Sequence, residues 1–149
     1  MIVYRITLAK YADKLIASGG AARWNSKDVK VIYTSGSRAL ACLENIVHRT
    51  SRGRDANFRV MLIEIPDNLK ISICDKDSLM YDWQNFANMP YTQGLGDLWV
   101  EEASAAAIKI PSVIIPEEYN YMLNPAHEDF PRIKLLRHEP FQFDGRLLR

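Results

Sequence analysis

Cysteine is scarce: only Cys42 and Cys74 occur in 149 residues, with no CxxC spacing and no histidine placed to complete a four-ligand zinc site. A disulfide framework is therefore not expected. An excess of one charge is missing as well. Lys plus Arg number 19 against 18 Asp plus Glu, for a formal net charge of +1, so no overall field recruits a polyanion and direct nucleic-acid binding gains no support. No apolar run approaches the roughly 20 residues that span a bilayer. The opening Met1-Ile2-Val3-Tyr4-Arg5 has neither the apolar core nor the small-residue cleavage site of a signal peptide. We expect a reducing, cytoplasmic setting without a membrane partner. A phosphate-cradling P-loop is also absent, because Gly94-Leu95-Gly96 lacks the remaining glycine spacing and the following Lys-Ser/Thr pair.

What is present is an ordinary globular composition, 48% hydrophobic, 25% charged and 10% aromatic, which argues against disorder. The length suits one domain over residues 1–149, since a second core would have little left to bury. The basic cluster Arg49, Arg52 and Arg54 is broken by small polar residues and reads as a solvated turn.

The richest local pattern is Arg23-Trp24-Asn25, followed by Tyr33-Thr34-Ser35 and by Glu44 at the head of Asn45-Ile46-Val47-His48. It sets a cation, aromatic rings, hydroxyls and a carboxylate in one short strand-then-helix unit. Ile2 to Thr7 alternates as a strand, Gly19 and Gly20 favour a loop, and Val29 to Tyr33 is β-branched and aromatic enough for a second strand. Ser35 or Ser37 then caps a helix over Arg38 to His48, whose stripe Ala39, Leu40, Leu43, Ile46 and Val47 predicts the buried face. Glu44 lies one residue from that stripe, at a rim or deliberately buried.

Farther on, Phe58 to Ile65 predicts a strand, and Asp75 to Asp97 a short helix followed by a loop. Leu98 to Ala107 predicts a helix with Glu101 and Glu102 exposed, and Ile108 to Ile115 a strand interrupted by Pro111. Pro116 to Pro125 reads as a turn leading into a short helical or extended segment, and Ile133 to Leu136 as a strand before a tail. Strands interleaved with helices give a mixed α/β class, with the strand order unreadable.

Taken together, these segments resemble the RES-domain family, named after an arginine, a glutamate and a serine. The resemblance is carried by Gly20 to Asn25, Val31 to Ser35, Ala39 to His48, Thr92 to Asp97, Pro111-Ser112, Asn120 to His127 with Phe130, Glu139-Pro140-Phe141 and Asp144-Gly145-Arg146. It places the family arginine on Arg23, the tyrosine on Tyr33, the glutamate on Glu44 and the serine on Ser112. One departure is Asp28, where a glycine is usual; Asp tolerates left-handed backbone angles better than most residues, so a local change is expected.

The resemblance implies a single domain with an ADP-ribosyltransferase-like fold, a central mixed or antiparallel sheet flanked by helices. It also implies the toxin of a bacterial type II toxin–antitoxin pair that arrests growth by consuming NAD. The nicotinamide–ribose bond breaks with water or inorganic phosphate as acceptor, NAD is the substrate, and no further cofactor or metal is expected. The usual partner is an Xre-like helix-turn-helix antitoxin that covers the active site. On this reading Glu44 stabilises charge developing on the ribose, and Arg23 forks onto the pyrophosphate. Tyr33 offers a ring and a hydroxyl, Ser112 a donor, and Asn124 further lining.

Without the resemblance each residue has a plainer role. Arg23 is a surface loop arginine, Glu44 a solvated helix charge or a partner of Arg49, Tyr33 a half-buried strand residue and Ser112 a turn hydroxyl. Trp24, Trp83 and Trp99 are read as core or pocket wall. His48, His127 and His138 are scattered, without a triad partner or metal set, and structural roles are expected of them. Two alternatives stand beside the NAD-degrading enzyme: a protein ADP-ribosyltransferase and a non-catalytic antitoxin-binding module.

Overall fold

The computed structural model describes residues 1–48 and 57–148; Arg49, Arg52 and Arg54 lie outside them. Strands are β1 (Ile2–Leu8), β2 (Ile32–Ser35), β3 (Phe58–Glu64), β4 (Ile71–Ile73), β5 (Ala107–Pro111), β6 (Tyr119–Leu123) and β7 (Lys134–Phe141). The helices are α1 (Arg38–His48) and α2 (Met89–Glu102). The strands form one seven-stranded sheet in the order β4-β5-β6-β2-β1-β3-β7. It is antiparallel throughout except for the parallel pair β4–β5. This is the mixed α/β architecture expected, with a mostly antiparallel sheet.

Two-residue alternation sorts the core onto the two faces of this sheet. Val3, Met61, Ile63, Ala107 and Leu123 are buried in one cluster. Their sequence neighbours on the same strands point the other way: Ile6, Val60 and Leu62 pack with Ala41 and Phe143, and Ile108, Ile110 and Met122 pack with Trp24, Trp83 and Trp99. The tryptophans are thus core, and Trp24 and Trp83 contact at 5.7 Å between ring centroids.

The centre of the sheet is its least continuous part. β1 pairs with β3 from Ile2↔Glu64 through Leu8↔Phe58, but with β2 at Tyr4↔Ser35 alone. Beyond that pair the ladder stops, and the Asn45 side chain of α1 donates to the Ile6 carbonyl at 3.1 Å. The helix therefore lies over the place where the two halves of the sheet part.

α1 begins where predicted, at Arg38, and is helical through His48, the last described residue before Asn57; Ser37 caps it, its Oγ accepting the Leu40 N–H at 3.1 Å. The predicted buried stripe is rotated, however. Leu40 and Ala41 are buried, whereas Ala39 is exposed and Val47 is 62% exposed. Ala41, Glu44, Asn45 and His48, spaced at helical intervals, line a cavity instead of a packed apolar floor, which is why this face is polar.

Elsewhere the sequence pattern misplaced one helix. Thr92 to Asp97, read as loop, belongs to α2, which has Pro90 in its first turn and ends at Glu102 with Ala103 in a left-handed cap (φ 46°). Residues 119–123 are extended as β6, β5 ends at Pro111, and β7 runs on through Pro140 because it is an edge strand, where a missing N–H is tolerated.

Gly96 on α2 is set by packing: a Cβ there would collide with the Trp24 carbonyl. Gly96→Ala should therefore destabilise the fold by about 1–3 kcal/mol through overpacking, despite the roughly 1 kcal/mol that alanine gains in a helix. Urea denaturation tests this, and a variant as stable as the parent or more so contradicts it.

Candidate active site

The Arg23 turn is fixed from within. Asn25, 1% exposed, donates through Nδ2 to the carbonyls of Gly20, Ser26 and Val29 at 2.8, 3.1 and 3.0 Å. Its Oδ1 accepts the Tyr33 hydroxyl at 2.7 Å, and that same hydroxyl accepts the Trp24 N–H at 3.1 Å. Burial, opposed by the Trp24 hydrogen bond and aided by Asp97 and Glu44, pushes the Tyr33 phenol well above its ordinary pKa. Tyr33 is accordingly neutral, its proton committed to Asn25, and its ring is what it presents to the cavity.

α2 clamps the turn from the other side. Thr92 Oγ1 donates to the Arg23 carbonyl at 2.6 Å, Gln93 Nε2 to the Ala22 carbonyl at 2.9 Å, and the Ser26 N–H to Asp97 at 2.9 Å. Asp28 closes the turn with φ 69°, its N–H donating to the Gly19 carbonyl at 2.8 Å. It thus takes up the left-handed conformation that a glycine would otherwise supply. The Arg23 guanidinium donates to the Asn85 carbonyl at 3.1 Å, and that single bond leaves most of its five donors unspent.

Glu44 approaches from α1 and is gripped by residues 68 and 76 positions away. Its Oε1 accepts from the Ser112 hydroxyl at 2.9 Å and from Asn120 Nδ2 at 2.5 Å. Neither donor is free to do otherwise. Ser112, fully buried, already accepts the N–H groups of Ile114 and Ile115 at 3.1 and 3.2 Å, so its one proton points at Glu44. Asn120 Oδ1 accepts the Ser35 hydroxyl at 2.7 Å, which fixes the amide with its NH2 toward the carboxylate. The second oxygen, Oε2, lies 3.7 Å from His48 Nε2.

Burial alone would raise the Glu44 pKa, but His48, Asn120 and Ser112 outweigh it and hold the carboxyl below its usual value. It is a half-buried, ionised carboxylate with one oxygen immobilised.

Arg23, Tyr33 and Glu44 line one cavity of about 450 Å³ with Trp24, His48, Asn120 and others, a volume within the range of small-molecule sites. Ser112 and Asn124 are not in its wall. Ser112 sits behind Glu44. Asn124 is 1% exposed, and its Oδ1 accepts the Ala126 N–H at 3.0 Å, turning the chain after β6. Among the described residues no cluster of His, Cys, Asp or Glu is placed to hold a metal ion, and no helix is long and apolar enough to cross a membrane.

The RES domain family matches residues 2–144. The chain belongs to that family. It is 35% identical to the Prs ADP-ribosylating toxin of Sphingobium sp., with 93% of this chain and 89% of that protein covered. It is 33% identical to the Toxin Res of Photorhabdus laumondii, covering 100% of this chain and 98% of that protein. A solved structure, the toxin–antitoxin complex MbcT–MbcA of M. tuberculosis, superposes with a TM-score of 0.75 at 16% identity over 95% of this chain and 84% of that one, so the RES fold is shared. The chain is a toxin of the RES family.

Two residues that line this RES-domain cavity carried no role in the sequence reading. His48 was assigned a structural place, although its spacing of four from Glu44 was a visible signal. Asn120 had none, because its contact with Glu44 depends on the register Ser35↔Asn120 between β2 and β6.

Since the Glu44 pKa is depressed, its ionised contacts stabilise the fold above the unfolded carboxylate value of about 4.3 and are lost as pH falls through the lower folded value. Ser112→Ala should cost about 1–3 kcal/mol at neutral pH, with the difference from the parent narrowing in acid. Denaturant midpoints between about pH 3 and pH 7 check this; a difference constant across that range speaks against it.

Proposed function

We propose that this RES-family toxin is an enzyme that cleaves the nicotinamide–ribose bond of NAD and that its partner is an antitoxin. The observation that carries the reading is the ionised Glu44, fixed by Ser112 and Asn120 in a cavity shared with Arg23 and Tyr33.

Breaking that bond builds positive charge on the ribose as nicotinamide leaves with the bonding pair. A carboxylate already oriented stabilises this charge more in the transition state than in the ground state, where the sugar is neutral. No protonated carboxyl is needed, because the pyridinium nitrogen is itself neutralised as the bond breaks. Arg23, with donors to spare, suits the pyrophosphate, which an arginine meets with two parallel hydrogen bonds. The ring of Tyr33 offers a flat face to nicotinamide. Ser112 acts through Glu44, and Asn124 through the turn after β6, so neither is assigned a contact with NAD.

The acceptor is water or phosphate on this reading. The name of the Sphingobium relative, an ADP-ribosylating toxin, supports a second one in which a protein side chain accepts the ADP-ribose. Bond cleavage at Glu44 is common to both. The structural neighbour was solved as a toxin–antitoxin complex, which supports an antitoxin partner here, and the family resemblance makes that partner an Xre-like helix-turn-helix protein. With a net charge of +1 on this chain, we assign any operator binding to the partner.

Toxin freed of its partner should release nicotinamide from NAD, with ADP-ribose, its phosphate ester or labelled protein identifying the acceptor by mass. Glu44→Gln keeps an acceptor oxygen for Ser112 and Asn120 and so preserves the fold, while removing the charge. It should lower kcat by about 100-fold or more; unchanged turnover in a folded Glu44→Gln protein rules the assignment out.

A further inference from the structure

We infer that His48 is a positioning residue for the reaction, holding the free oxygen of Glu44 from the mouth of the cavity as an imidazolium. The inference rests on the NAD-cleaving reading above. It begins with an asymmetry in the carboxylate. Oε1 takes both buried donors, whereas among the described residues the only cation within 4 Å of Glu44 is His48, 3.7 Å from Oε2. At that separation the two form an ion pair when the imidazole is protonated, without a direct hydrogen bond. A carboxylate tied by one oxygen swings about that tie unless something restrains the other.

His48 is built to supply the restraint. It lies one turn after Glu44, so both side chains leave the same face of α1, and both line the cavity. The His48 side chain is 72% exposed, so no packing role accounts for its place. Among the described residues, the charged groups that act on it are Glu44, from its own helix, and Arg23, from the turn before β2. Glu44 raises the imidazole pKa above its usual value, against partial burial and the opposing charge of Arg23.

The sign of the pH dependence follows. With its folded pKa raised, His48 is an imidazolium below about pH 6.5 and stays one somewhat above it. It loses the charge as pH rises through the folded value. Turnover should therefore decline on the alkaline side as the restraint on Oε2 is released, while substrate affinity changes little.

Nicotinamide release by the parent, His48→Gln and His48→Lys is to be measured between about pH 5 and pH 9, alongside an NMR titration of the His48 ring in the parent and in Glu44→Gln. We expect His48→Gln to lose roughly ten- to a hundredfold in kcat with KM nearly unchanged, and to show no alkaline decline. His48→Lys should recover part of the loss and carry activity to higher pH. The His48 ring should titrate above about 6.5 in the parent and fall in Glu44→Gln. Parent-like kcat and pH profile in His48→Gln overturn the inference, as does a loss that leaves the alkaline limb in place. A parent that releases no nicotinamide refutes the NAD reading instead, and the ring titration then still decides the pairing: a His48 pKa indifferent to Glu44→Gln overturns it.

Discussion

The convergence of Ser112 and Asn120 on one oxygen of Glu44 ties α1 to the β5–β6 pair through side chains far apart in the sequence. Glu44 stands on α1, Ser112 just past β5 and Asn120 on β6. A carboxylate taken partly out of water without partners would neutralise or move; here two committed donors hold one of its oxygens. Ser35 completes the chain by donating to Asn120, so the strand next to α1 also depends on it. A network satisfied at each member holds one geometry, and loss of a member strands a buried charge instead of merely removing a contact.

The Arg23 turn obeys the same logic with different chemistry. No charge is buried there; Asn25 serves as a hub for three carbonyls and one hydroxyl, and α2 adds side-chain ties at Thr92, Gln93 and Asp97. Both halves of the site are formed before any ligand arrives. Preorganisation of this kind matters most for a reaction helped by oriented charge, because the cost of orientation is met during folding and not during turnover.

These two halves differ in how far the sequence revealed them. The strand before α1 and α1 itself follow local patterns, with Ser37 as cap and helical spacing to His48, although the strand expected over Val29 to Tyr33 runs instead from Ile32 to Ser35. Arg23, Tyr33 and Glu44 could thus be proposed as neighbours from a short span. What the pattern could not supply was the nonlocal register. That Ser112 stands behind Glu44 and not in the cavity wall, and that Asn120 faces it, follow from β6 lying beside β2, an order that no local signal encodes. The misread stripe on α1 has a related cause. Amphipathic reading assumes that the inward face is apolar, and a helix that roofs a cavity turns its polar residues inward. Thr92 to Asp97 was misread because two glycines suggest a loop, while Gly96 is demanded by the Trp24 carbonyl against which the helix packs.

On the proposed reading, the division of labour around Glu44 also leaves the acceptor open. Bond cleavage on this reading needs only a carboxylate beside the ribose and a good leaving group, and the buried donors both act on Oε1 of Glu44. Nothing in that arrangement distinguishes water, phosphate or a protein hydroxyl, since the stabilisation is complete before the acceptor bonds. On this reading discrimination falls to the rest of the cavity wall, which includes Arg23 and His48. Ser112 and Asn120, which fix the carboxylate, are buried and mutually constrained, whereas His48 is exposed and Arg23 makes a single hydrogen bond. On the proposed reading, one mechanism of cleavage at Glu44 is therefore compatible with different acceptors.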